Sequence, residues 1–131
     1  MTDRRASCRC GQLRATASGD PVRVSVCHCR NCQKRSGSAF AAQVRFADTQ
    51  VTIEGQSKAF QLASDSGNSA TFHFCPDCGT EVFYVNNGKF DEQVAIPLWT
   101  FADPHAFAPA FSVWEVRKHG WVTVSAAEHR D

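Results

Sequence analysis

The stretch ATFHFCPDCGTEVFYV, residues 70–85, decides the fold. Two runs rich in β-branched and aromatic residues, 70–74 and 81–85, flank a Cys-Pro-x-Cys-Gly knuckle. The proline presets a turn, Gly79 permits a left-handed backbone, and the thiols of Cys75 and Cys78 then converge on one ion. A strand, a metal knuckle and a second strand in so short a span predict a β protein stapled by metal. Outward from there, period-2 or β-rich segments recur as LRATA, VRVSV, AQVRF, VTIEG, AFQLA, QVAIPL, FSVWEV and WVTV. SGDP, EGQS, SDSGNS, NNGK and KHG punctuate them as turns, which predicts hairpin connections. One segment breaks the pattern: RNCQKRSGSAFAA offers Asn31 as an N-cap and a short helix before Gly37 weakens it.

The chain has seven cysteines, an odd number, and all of them fall in clusters. That favours metal or thiol chemistry over a disulfide framework. The CxC pair of Cys8 and Cys10, followed by Gly11, completes a four-sulfur set with Cys75 and Cys78. Free or redox-active thiols are the alternative, but no βαβ pattern of a thioredoxin-like fold surrounds this CxxC. The triplet Cys27, Cys29 and Cys32 remains. Structural zinc sites fill four positions with protein ligands, whereas catalytic sites take three and keep one open. Seven therefore divides into a structural four and a catalytic three. A zinc bound by three thiolates is a weak Lewis acid and a soft one, suited to an incoming thiol. The competing reading closes the triplet with His28 or His73, although both histidines are more readily strand or supporting residues.

Size and charge set the remaining bounds. At 131 residues the chain reads as one domain, 1–131, with 43% hydrophobic and 21% charged residues. Fourteen basic against thirteen acidic residues leave a net charge of +1, which gives no field to draw the whole molecule onto nucleic acid or an anionic membrane. The first residues lack a signal-like apolar run and no segment reaches membrane-span length, so the expectation is a cytoplasmic protein without a membrane partner. Unpaired edges in a β-rich domain leave a route to a homodimer. Arg30, Lys34 and Arg35 crowd the triplet and are the candidates to hold a substrate carboxylate, a pointer to an anionic thiol. Glu81, Glu92, Glu115 and His73 are conceivable acids or bases, and the sequence ranks none of them.

In order along the chain, SCRCGQL, CHCRNCQKRSG, FCPDCGTEVF, WTFADP and PAFSVWEVRKHGWV resemble the glutathione-dependent formaldehyde-activating enzyme and centromere protein V family. The resemblance implies a mainly β, Mss4-like complex of antiparallel sheets with zinc knuckles and at most a short helix after the triplet. It implies two zinc ions, one structural on Cys8, Cys10, Cys75 and Cys78, the other catalytic on Cys27, Cys29 and Cys32. The implied activity is that of a carbon-sulfur lyase, making or breaking S-hydroxymethylglutathione from glutathione and formaldehyde. A non-catalytic zinc module that binds a protein or nucleic acid is the alternative. Two departures touch the expected pocket walls. Residues 99–104 read Trp-Thr-Phe-Ala-Asp-Pro where relatives show a Gly-Thr-Leu-Asp-Asp-Pro-like loop, and Ser112 stands where they commonly place a histidine.

Overall fold

The computed structural model describes residues 2–63, 68–88 and 92–131. Strands β1 (Asp3–Ser7), β2 (Arg14–Ser18) and β5 (Val51–Glu54) make a small sheet in the order β1-β2-β5. The larger sheet has eight strands. It comprises β3 (Arg23–Cys27), β4 (Ala41–Ala47), β6 (Lys58–Ala63), β7 (Ser69–Phe74), β8 (Glu81–Asn87), β9 (Gln93–Pro97), β10 (Phe111–Val113) and β11 (Glu128–His129). Their order is β11-β10-β3-β4-β9-β8-β7-β6. The single α-helix of the described residues, α1 (Arg30–Ser36), follows the cysteine triplet. The fold is mainly β with one short helix, as the sequence predicts.

The period of two along each strand explains how the large sheet serves two purposes. On β4, Val44 and Phe46 point to one face; on β9, Val94 and Ile96 do so, and on β3, Val24. Ala6, Leu13, Ala15 and Ala17 of the small sheet and its connecting turn pack onto that face, and Phe101 and Phe107 close the core against Phe46. Leu13, Phe46 and Ile96 are fully buried, and each such side chain contributes about 1.5–3 kcal/mol by leaving water. The alternate residues of the same strands, Arg23 and Ser25 on β3 and Gln43 and Arg45 on β4, are left for the opposite face, where a cleft forms.

Several local expectations need correction. The helix is capped by Cys29, not Asn31: the Cys29 sulfur accepts the Cys32 N–H, and Gly37 at φ 64° ends the helix. SGDP and EGQS do not close hairpins; they carry the chain between the two sheets, because β2 and β5 belong to one and β3 and β6 to the other. FSVWEV stops as a strand at Val113, since Trp114 takes φ 57° and residues 115–117 wind into a 3₁₀ turn. WVTV forms no strand, because Glu128–His129 occupies the edge of β10, leaving Val122 to bury against the body without a ladder. β10 runs parallel to both β3 and β11, so the sheet is mixed. Residues 64–67 of the SDSGNS turn and residue 89 of NNGK lie outside the described residues; the strands that each turn joins are antiparallel neighbours.

Candidate metal centres and cleft

The first cluster gathers Cys8 and Cys10, from the turn between β1 and β2, with Cys75 and Cys78 from the turn between β7 and β8. The turns are alike: Gly11 at φ 84° and Gly79 at φ 80° each donate an N–H to the carbonyl of the first cysteine, at 3.1 and 2.8 Å. The Leu13 N–H points at Cys8 Sγ (3.3 Å), and Gln12 Nε2 (2.9 Å) and the Asp77 N–H (3.4 Å) at Cys75 Sγ. Tetrahedral zinc with bonds of about 2.3 Å places its sulfurs roughly 3.8 Å apart. Cys8 and Cys10 are 3.6 Å apart and Cys10 and Cys75 3.7 Å, so the donor set fits the ion. The electrostatics agree. The Thr80 hydroxyl and the Cys10 and Thr80 N–H groups bring the Cys78 thiol down to about 5. At Cys10 the Gln12 N–H pulls the same way, yet the neighbouring thiols and burial drive it up to about 12. Four sulfurs at this spacing cannot all ionise without a cation among them.

The second cluster is Cys27 at the end of β3, Cys29 at the helix cap and Cys32 in the first turn of α1, with all three sulfurs within 4.8 Å of one another. Hydrogen bonds from the Cys27 and Cys32 thiols hold Cys29 at about 2, while the thiol neighbours and burial push Cys27 far up. Thiols this close oppose one another's ionisation, so all three become thiolates only with a cation among them. Neither histidine joins them. His28, fully buried, turns away from the triplet; its Nε2 lies 2.9 Å from Ser112 Oγ, which donates to Glu115 Oε2 (2.7 Å), and His129 Nδ1 meets the same carboxylate at 2.8 Å. His73 stacks on Phe83 and pairs with Ser57.

The triplet opens onto the cleft, about 290 Å³, on the polar face of the large sheet. The helical period decides which basic residue reaches it. Cys32 and Arg35 are one turn apart and share a face; Arg30 and Lys34 share another and line a shallow groove with His119 and Trp121. Of the three predicted carboxylate holders, the structure therefore brings Arg35 alone to the cysteines. Its guanidinium donates to Cys32 Sγ (3.5 Å), lies over the rings of Phe72 and Tyr84 (4.7 and 4.9 Å) and pairs with Glu81 at 2.5 Å. Burial opposes its charge, but Glu81, Tyr84 and Cys32 hold it protonated. Arg35→Met therefore strands Glu81 and should lower stability by about 3–5 kcal/mol in urea unfolding of the metal-loaded protein, with Glu81→Leu added to it recovering most of the loss. An equal loss in single and double variants contradicts the pairing.

Two further residues shape the site: Gln33, which no sequence motif marks, and Ser112, which departs from the family's pattern. Gln33, buried on α1, donates to the carbonyls of His28 (2.7 Å) and Arg117 (3.2 Å) and accepts from Arg30 and His119, pinning the triplet loop. Ser112 ties β10 to that loop through His28. Of the four candidate acids and bases, Glu81 and Glu115 are thus engaged in pairs, His73 lies on β7 away from the triplet, and Glu92 precedes β9.

A mixed β fold with a four-cysteine cluster and a three-cysteine cluster in a cleft defines a class of protein with two sets of thiols that could hold metal ions. The family described as "Glutathione-dependent formaldehyde-activating enzyme" matches residues 3–117, and the chain belongs to that family. A crystal structure of a Rhodobacter sphaeroides protein shares the fold, with a TM-score of 0.58 at 16% identity over 73% of this chain and 85% of that one. No curated protein matches the sequence. Family membership supports a glutathione- and formaldehyde-related activity. No helix of the described residues is long and apolar enough to cross a membrane.

Proposed function

We propose that the chain is a single-domain enzyme with two zinc ions that adds a thiol such as glutathione to formaldehyde, or cleaves that carbon-sulfur bond as a lyase. The observation that carries this reading is the asymmetry of the clusters: three sulfurs face a cleft, and four face one another. Cys8, Cys10, Cys75 and Cys78 would hold a structural ion, and Cys27, Cys29 and Cys32 the other. When bound at the triplet, zinc supplies a soft Lewis acid that favours the thiolate form of an incoming thiol near neutral pH.

The chain's own residues do the rest. Arg35 donates to Cys32 and fixes its sulfur in the cleft wall. Phe72 and Tyr84 cover the guanidinium and keep water from it, so the attacking sulfur works in a poorly solvated corner. Val113, paired with Cys27 across the β3–β10 ladder, and Trp114 also line the cleft. In the addition, the thiolate sulfur forms a bond to the formaldehyde carbon, the C=O π pair moves to oxygen, and that oxygen takes up the proton the thiol gave to solvent. Formaldehyde is already electrophilic, so proximity and orientation supply most of the acceleration. Cysteines held as thiolates also suit a reducing compartment such as the cytoplasm.

The test is exchange NMR with ¹³C-formaldehyde and glutathione. Protein carrying two zinc ions should speed interconversion of free aldehyde and S-hydroxymethyl adduct well above the rate in buffer. An unchanged rate at full metal occupancy contradicts the proposal.

A further inference from the structure

Gln12 follows the glycine of the first cysteine turn and touches both turns of the four-cysteine cluster. Its backbone N–H faces the Cys10 sulfur, and its side chain crosses to the second turn, where Nε2 donates to Cys75 Sγ at 2.9 Å. One residue of the β5–β6 connection fixes the rest of the amide: Nε2 also donates to the Gln56 carbonyl (2.7 Å), and Oε1 accepts the Gln56 N–H (2.9 Å). Both amide hydrogens are thus spent. Gln56 thereby decides which end of the amide meets the sulfur. A reversed amide would set its oxygen against the Gln56 carbonyl and Cys75, and its nitrogen against the Gln56 N–H, with no bond left of the three. The connection is itself seated on this residue: Gly55 takes φ 98°, and a Cβ there would run into the Gln12 carbonyl. Ser57, next along, meets His73 Nδ1 at 3.0 Å, which anchors the same connection to β7. Four thiolates around one zinc ion leave two negative charges in excess, and donors aimed at the sulfurs offset them. Leu13 and Asp77 donate to Cys8 and Cys75 from the backbone, which any residue at those positions would do, whereas Gln12 donates to Cys75 from its side chain. Cys75 is fully buried, so water does not stand in for that donor.

We infer that Gln12 is a positioning residue of the four-cysteine centre, its amide clamped by Gln56 so that one hydrogen points at Cys75 and holds that sulfur on the ion. The inference rests on the proposed structural zinc at Cys8, Cys10, Cys75 and Cys78 and adds what controls its release. It also joins that centre to the cleft, because the connection held by Gln12 leads into β6, whose Leu62 and Ala63 line the cleft wall.

The native chain loaded with ¹¹³Cd in place of zinc tests this without any variant that must fold. A cadmium ion held by four sulfurs gives a far-downfield signal, and that ion should show a scalar coupling to a Gln12 side-chain amide proton, carried through Cys75 Sγ. Folding alone does not produce such a coupling, because it passes only through a hydrogen bond. The four-sulfur signal without a coupling to Gln12 overturns the inference and leaves the structural ion standing. Absence of the four-sulfur signal overturns the structural ion, and the inference with it. Transfer of zinc to a colorimetric chelator then reads the size of the effect. Release from the native chain should be biphasic, with the open triplet giving up its ion first. Gln12→Leu should speed the slow phase about tenfold or more and leave the fast phase unchanged. Gln12→Glu should speed it further, since it keeps an oxygen for the Gln56 N–H but turns a carboxylate toward the thiolate. An unchanged slow phase in both variants, or an equal gain in both phases, overturns the inference.

Discussion

Cys78→Ala should leave the chain insoluble or unfolded, with no zinc retained at the four-cysteine cluster. The cluster joins two turns 65 positions apart and ties the small sheet to the large one. Cys8 and Cys75 are themselves core residues, packed with Leu13 and Phe46. Structural zinc binding in small domains contributes about 10 kcal/mol or more to folding, whereas a domain of this size has a net stability of roughly 5–15 kcal/mol. Removing one ligand therefore consumes most or all of the margin. Soluble yield, zinc per chain and the melting temperature read the outcome. A soluble variant that melts like the native chain contradicts the structural role of this cluster.

The triplet should behave in the opposite way. Cys29→Ser is expected to fold, to keep the four-cysteine zinc, and to lose about 10³-fold or more in adduct formation with the second ion. Serine is the informative replacement because Cys29 caps α1 through its side chain. A serine oxygen is a preferred N-cap, so the helix keeps its first turn. What disappears is a soft thiolate from the cleft. Circular dichroism and metal analysis should show native structure with one zinc, and the exchange assay should show no acceleration. A variant with near-native activity removes the triplet from the chemistry.

The contrast between these clusters was readable before any coordinates, because it rests on residue count and spacing. A CxC pair and a CxxC pair, each with a following glycine, are local features, and local features survive without knowledge of pairing. β1 was not readable: DRRAS buries Ala6 alone, so it carries almost no alternating signal and is a strand because β2 pairs with it. The parallel placing of β10 against β3 depends on contacts between residues 86 positions apart, such as Phe111 and Ser25, which no local pattern encodes. The split between Arg35 and the Arg30 and Lys34 face was available in the helical period, given where the helix begins. The cap lay at Cys29, two residues before the expected Asn31, and a cysteine is an uncommon cap whose role here follows from the cluster. The cleft's polar rows were half visible. Alternation in VRVSVC puts Arg23, Ser25 and Cys27 on one face, but that Gln43 and Arg45 stand opposite them is a matter of register, which the coordinates supply.

Zinc K-edge absorption spectroscopy on the metal-loaded chain, with and without glutathione, tests the central claim most directly. With one site of four sulfurs and one of three, the mean sulfur number per zinc should be about 3.5, rising to about 4 when the thiol binds. A mean that stays near 3.5 under saturating thiol, or that stands at 4 without it, contradicts a three-cysteine centre open to substrate.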